Sequence, residues 1–385
     1  MTGTLSRRSP PPDALVAAAL FVACWALVHV WFWAHRDLVD WPTYQTYGAA
    51  IVHHGQVPYR DFAVEYPPGA LPMFILPVLF GTYATTFAWL MAVCGAALVI
   101  MLSTLSRPAA YYTALAPVLV GSLILSRYDL WPALLVACAL VLLLCDRDTV
   151  GWAFLGAAVA AKLWPLAIVP VALAWSWRRG RAWSALAGAA VVALVFVPFF
   201  AVAPQGMWHS LAGQASRPLQ VESLGAALVI LFGHPQIVST HGSQNIAGHG
   251  AAGAALASVE AAALIALWVA FVRGEMNRDR LLRYTAACAA AFVAFDKVLS
   301  PQYLLWLVPL VPLVRGRRGL AATAVLTLAC VLTQVWFPER YFAYALSFHL
   351  AWVVLLRDVV LVALVAVLAA PVPARRPARE PLHSA

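Results

Sequence analysis

The chain alternates long apolar runs with short polar breaks as far as residue 370. Runs such as Ala14–Ala34 and Val359–Ala370 are close to continuous. An outer-membrane barrel would instead alternate apolar and polar residues over ~10-residue segments. The pattern therefore predicts helices, and a bilayer-spanning helix needs ~20 apolar residues. Division at the polar breaks predicts twelve spans: 14–35, 84–105, 110–126, 129–145, 150–164, 165–177, 183–203, 252–273, 281–295, 302–314, 319–336 and 349–370. Those at 150–164, 165–177 and 302–314 are short, which a bundle tolerates where a helix end lines a protein or water cavity.

Charge sits mainly in the breaks. With the N-terminus placed in the cytoplasm, seventeen of the 25 Lys and Arg residues fall on the inner side and seven on the outer side. Arg357 is left inside the last span. This asymmetry predicts cytoplasmic termini, with the two long loops 36–83 and 204–251 outside. The first run follows Arg7 and Arg8, ends in Trp31-Phe32-Trp33 and has no small-residue cleavage site, so it reads as a retained span. Segment 236–252, rich in Gly, Ser and His, is predicted to be mobile. The Pro/Arg-rich tail 371–385 is predicted to be disordered. The expectation is an all-α, polytopic transmembrane bundle in the inner (plasma) membrane, one domain over 1–370, and a monomer.

Composition narrows the class. Of 385 residues, 63% are hydrophobic and 11% charged, against roughly 45–50% and ~25% for soluble domains. A soluble enzyme and a disordered chain are both excluded. The net charge of +9 then serves orientation, and no nucleic-acid partner is expected. The six cysteines lie in or beside apolar runs without CxxC spacing, so no metal or disulfide role is expected. Walker, GxGxxG and HExxH motifs and internal repeats are absent, which argues against an ATP-driven pump or a nucleotide-sugar enzyme with its own Rossmann domain.

The candidate chemistry is concentrated in loop 36–83. It holds Asp37, Asp40, Asp61 and Glu65 with Arg36, Arg60, His53, His54, Tyr44, Tyr47, Tyr59 and Tyr66. The bland reading is a solvated loop in which Asp40 caps a helix before Pro42 and Thr43 and Arg60 pairs with Asp61. The stretch 69–80, interrupted by Pro72 and Pro77, is too short to span and is expected to lie at the interface. Three cations sit at unusual depth: Arg127, Lys162 and Lys297. Embedded charges are costly and mark function or pair with each other. Neighbour pairing predicts Arg127 with Asp129, Lys297 with Asp296 and Arg357 with Asp358, while Lys162 has no partner nearby in sequence.

The string DWPTYQTYGAAIVHHGQVPYRDFAVEYPPGA resembles the first outer loop of the C superfamily of membrane glycosyltransferases. Together with AAKLWPLAIVP, FDKVLSPQYLLWLVPL and LLRDVVLVALVAVL, it is most similar to glycosyltransferase family 87, the polyprenyl-phosphate-mannose-dependent alpha-mannosyltransferases. The resemblance covers about residues 14–370. It implies a helical bundle with short interfacial helices in the first outer loop. It also implies sugar transfer from a lipid-phosphate donor to an extracytoplasmic glycolipid or glycan acceptor, without nucleotide and usually with inversion; no cofactor and no metal-ligating residues are expected. The family's base is an aspartate just after the first span; Asp40, in a D-x-x-x-Y context completed by Tyr44, matches it, with Asp37 as the alternate. On the same basis Tyr44, Tyr47, Arg60, Asp61, Glu65, Tyr66 and Gln302 are candidate substrate-binding residues.

The chemistry agrees with that implication. An acceptor hydroxyl needs a carboxylate to take its proton as the bond forms. The departing lipid phosphate needs cations, and Lys297, Lys162 and Arg127 lie at suitable depth. The rival reading is a lipid or sugar transporter or flippase. Transporters usually carry repeats and paired broken helices, whereas here the acids cluster in one loop.

Overall fold

The bilayer core has no water to satisfy backbone N–H and C=O groups, so a chain this apolar bonds its backbone within each turn. The computed structural model is accordingly a helical bundle, described over residues 12–35 and 40–371. Among the described residues, six helices are long and apolar enough to cross a membrane: Asp13–Phe32, Tyr83–Ser103, Ala182–Val202, Gly250–Arg273, Gly316–Trp336 and Ala351–Ala369. The other six expected positions are also helical, but shorter, broken or charged at one end. They are the three pieces between Arg107 and Ser126, Leu130–Leu144, Asp148–Ala161, the 3₁₀ turn Trp164–Ile168 with Val169–Arg178, Arg278–Phe295 and Pro301–Leu313. The multi-pass helical bundle expected from the hydropathy pattern is what the chain forms.

Helix length shapes one end of the bundle. At 1.5 Å per residue, Leu130–Leu144 and Asp148–Ala161 each reach only about 20 Å, short of the ~30 Å hydrocarbon layer. The charged turn Asp146-Arg147-Asp148 joins them at the arginine-rich end. Their opposite ends, next to Asp129 and Lys162, therefore stop below the level reached by longer neighbours. Helix Ala185–Val202 rests on Asp148–Ala161 through two glycines: a methyl group on Gly156 would strike the Gly188 carbonyl. Small residues allow such close approach between membrane helices.

The two long loops roof this depression. Loop 36–83 contributes helix Trp41–Val52 and the apolar stretch Pro68–Leu79, which Pro72 and Pro77 divide into short 3₁₀ and α pieces. Loop 204–251 contributes helices Pro204–Ser216 and Leu224–Phe232. The predicted mobility of 236–252 is corrected. Ile237–Thr240 pairs antiparallel with Ser243–Ile246, Thr240 opposite Ser243. The two turn residues, His241 and Gly242, have φ of 52° and 64°. Positive φ at both positions matches the turn twist to the strands, so this two-residue connection closes a hairpin.

Candidate active site

Two adjoining cavities occupy the depression. One, of about 470 Å³, is lined by Asp40, Arg127, Glu222, Tyr341 and the hairpin turn. The other, of about 350 Å³, is lined by Lys162, Lys297, Asp296 and Trp306. Glu65, Tyr66, Arg217, Gln302 and Tyr303 line both.

Asp40 stands at the N-cap position of Trp41–Val52, and its carbonyl accepts the Thr43 N–H at 3.0 Å. Its side chain makes no cap bond. It pairs instead with Arg127. The Asp40 φ of 78° is costly for a residue with a Cβ and persists where surroundings fix it, a circumstance found often at functional sites. Arg127 is extended (φ −117°, ψ 140°) between two helices, and its ion pair is with Asp40, with Asp129 still near enough to act on its charge. The neighbour pairing of Arg127 with Asp129 is thus replaced by a long-range one. Arg36 and the alternate base Asp37 lie outside the described residues.

Asp129 belongs to Lys162. The Lys162 ammonium donates to Asp129 Oδ1 at 2.6 Å, and the carboxylate side chain is 0% exposed. Trp306 Nε1 donates to the same oxygen at 2.7 Å. The ammonium also lies 4.8, 5.1 and 5.7 Å from the ring centroids of Tyr128, Trp306 and Tyr303. Trp306 is stacked on Trp164 and Tyr303. Lys162, which had no partner nearby in sequence, therefore finds one across a helix break. The residue itself is extended (φ −161°, ψ 142°) where Asp148–Ala161 ends.

Lys297 and Asp296 do not pair. Lys297 Nζ donates to the Ala215 carbonyl at 2.8 Å, and Asp296 Oδ1 accepts the Val298 N–H at 2.9 Å. Burial pushes the Asp296 carboxyl up to about 6. Arg357 and Asp358 do pair, at 2.7 Å, and Arg357 also donates to the Glu222 carbonyl at 2.7 Å. That bond draws the 217–223 segment into the bundle and buries Glu222, whose carboxyl is pushed up to about 7 by loss of solvent.

The other expected residues divide by position. Glu65 lines both cavities and a third, more open one beside them, and Tyr66 and Gln302 line both. Tyr44 and Tyr47 are buried among Phe74, Tyr66 and their neighbours and line none of the three. Their rings pack inside the wall. Arg60 and Asp61 form the local pair of the bland reading, at 2.9 Å on the rim of the open cavity. That contact and the Val57 N–H hold the Asp61 carboxyl at about 2.

Sequence reasoning missed Arg217 and Glu222. Arg217 donates to the His241 carbonyl and the Ser243 hydroxyl, tying the hairpin to the shared wall. A signal existed for Glu222: it is the only acid in 204–251. Among the described residues no three His, Cys, Asp or Glu side chains converge as metal ligands would. The positive charge described in this site comes from Arg127, Arg217, Lys162 and Lys297.

The family model for glycosyltransferase family 87 matches residues 64–301. A crystal structure of ArnT from Cupriavidus metallidurans bound to undecaprenyl phosphate has a similar fold, with a TM-score of 0.51 at 16% identity, over 93% of this chain and 77% of that one. No curated protein matches the chain.

Two outcomes follow from the buried charges. Asp129→Asn and Lys162→Met each strand the other partner, so each should lower stability by about 3–5 kcal/mol. The double variant should recover much of that loss, read by tryptophan fluorescence during unfolding in detergent. Strictly additive losses would mean that the two residues are not coupled.

The second outcome concerns pH. Glu222 holds its proton to about 7 when folded and releases it near the ordinary 4.5 when unfolded. The folded state binds more protons in that window, so its stability declines as pH rises from about 4.5 to 7. Glu222→Gln should flatten that part of the stability profile. An unchanged slope would show that Glu222 does not titrate as its burial requires.

Proposed function

The chain belongs to glycosyltransferase family 87, and on that premise we propose that it moves mannose from a polyprenyl-phosphate donor to an extracytoplasmic glycolipid or glycan, with inversion and with Asp40 as base. The observation that carries this reading is the two-cavity site: a carboxylate with Arg127 on one side, two lysines on the other, and Arg217 lining both. A lipid-linked donor is also in keeping with the undecaprenyl phosphate bound to the similar fold.

The acceptor hydroxyl oxygen attacks the anomeric carbon as the bond from that carbon to the phosphate oxygen breaks. The bonding pair leaves with the lipid phosphate, and the hydroxyl proton passes to the Asp40 carboxylate. Lys297, Lys162, Arg127 and Arg217 offset the charge that gathers on the phosphate. Tyr303, Trp306 and Tyr66 present ring surface to the cavities. Asp40 is favoured over Asp37 for its place at the cavity wall. Glu65 is a second candidate base, since its side chain lines every cavity of the site.

The test is turnover with polyprenyl-phosphate mannose and candidate acceptors, on variants first shown to be folded and monodisperse. Asp40→Asn keeps the side chain's size but cannot take the proton, so turnover should fall by roughly 10²–10⁴ while donor binding survives. Lys297→Ala should weaken donor affinity by about 1.5–3 kcal/mol, the worth of one charge-assisted contact. Asp37→Asn and Glu65→Gln should do less than Asp40→Asn. Near-normal turnover in Asp40→Asn with a dead Asp37→Asn or Glu65→Gln would transfer the role to that residue. Donor movement across the bilayer without sugar transfer would favour the transporter.

The site is proposed to face outward, because arginine is concentrated at the opposite end of the bundle. A cysteine at position 53 in intact cells should react with an impermeant reagent, and one at position 279 should not. The reverse pattern would invert the topology.

A further inference from the structure

The arginine-rich end holds a cavity of its own, far from the charges used above. It measures about 680 Å³ and lies where helix Gly250–Arg273 ends and helices Arg278–Phe295 and Gly316–Trp336 begin. Five arginines line it against two acids, Glu275 and Asp279, a local net charge of five minus two, or +3. One acid is engaged: Arg315 approaches Asp279 at 3.5 Å, with both side chains more than half exposed.

An excess of arginine is enough to orient a membrane protein, but orientation does not require arginines built into a cavity wall. Here they are built in. Arg283 is 5% exposed, and its Nε is buried with no hydrogen-bond partner among the described residues. Its guanidinium reaches the Ala370 carbonyl only at long range, 3.4 Å from Nη1, and otherwise meets Tyr284. Arg280 and Arg283 lie over the same Tyr284 ring, at 4.9 and 4.7 Å, so two like charges are held together. Arg318 is steered by the Pro371 carbonyl at 3.1 Å. Helix Gly316–Trp336 starts at this cavity without a side-chain cap, adding free N–H groups and the positive end of a helix dipole.

We propose that this cavity is a binding site for a phosphate group, carried either on an anionic lipid headgroup or on a soluble phosphate compound. Arginine forks match phosphate oxygens in bidentate fashion. Basic pockets between membrane helices on the cytoplasmic side bind phosphorylated or diphosphatidyl headgroups by the same chemistry. An oxyanion here would meet the Arg283 guanidinium and offset the excess charge at once. The cavity lies where the helices end.

The experiment uses the full-length protein, stripped of lipid in a neutral detergent. Its unfolding temperature is followed as phosphatidylglycerol, phosphatidylcholine or inorganic phosphate is added, and retained lipid is counted by native mass spectrometry. Phosphatidylglycerol should raise the unfolding temperature and stay bound, phosphatidylcholine should not, and added salt should weaken the effect. A tenfold or larger rise in the half-saturating concentration is expected in Arg283→Gln. Arg278→Gln with Arg315→Gln, at the exposed rim, should give the same direction if Arg283→Gln fails to fold. Arg178→Gln, at the same end but outside the cavity, should leave binding unchanged. A response to inorganic phosphate alone, lost in the cavity variants, would assign the site to a soluble phosphate. An anion response unchanged in the cavity variants, or none from either source, overturns the proposal.

Discussion

A carboxylate with no solvent exposure needs a counter-charge inside the bundle, and Asp129 is that carboxylate. An uncompensated buried charge costs several kcal/mol. Lys162 can supply the balance because helix Asp148–Ala161 stops short and leaves its next residue at Asp129's level. The Trp306 N–H and three aromatic faces complete the enclosure. The rest of the site's charge distribution follows. With Asp129 matched to Lys162, the extended backbone at Arg127 sends its guanidinium to Asp40. The helix that begins at Trp41 is thereby tied to the base of the depression.

A second buried network sets the opposite wall. Arg357 and Asp358 lie in the last helix, and Arg357 also holds the Glu222 carbonyl. A loop segment is thus anchored below the level at which the helix begins, and the next residues climb back along helix Leu224–Phe232 to the hairpin. Irregular backbone at this depth is tolerated because it lines a cavity and is bonded to protein. Arg217 closes the arrangement by gripping the hairpin at His241 and Ser243.

The helical bundle was legible because its signal is local: continuous apolar runs of span length, with charge confined to the breaks. The short helices were legible as well, and they are the ones that end at the site. Charge pairing was not, because adjacency in sequence is a poor guide where backbone turns between neighbours. Arg127 and Asp129 are two residues apart and have different partners, and Asp129 finds its own 33 residues away. Arg357–Asp358, within one helix, and Arg60–Asp61, on the rim, did pair as adjacency suggests. The hairpin was hidden by its composition. Its turn is His-Gly and not the stronger Asn-Gly or Asp-Gly signal, and its strands are mostly polar and only four residues each. Tyr44 and Tyr47 carried the right residue type for sugar stacking, yet burial decides their use, and burial comes from tertiary packing against Phe74.

The Asp40–Arg127 pair bears on how the proposed transfer would be ordered. A carboxylate beside a guanidinium is stabilised in its charged form and is a weaker proton acceptor for it. A donor phosphate entering the site carries more negative charge than one carboxylate and competes for the same guanidinium. If Arg127 turned toward the phosphate, Asp40 would lose its counter-charge and become a stronger base. Under that proposal, base strength would be highest with the donor bound, and the arginine paired with Asp40 at rest would be the one to meet the leaving group. Water reaching the cavity before the donor would face a carboxylate already neutralised, which disfavours idle proton transfer. The buried Asp129–Lys162 pair supplies the fixed background for this exchange: its charges are matched to each other and enclosed by aromatic rings, which leaves Arg127, in the Asp40 cavity, as a cation whose carboxylate partner lies at the cavity wall.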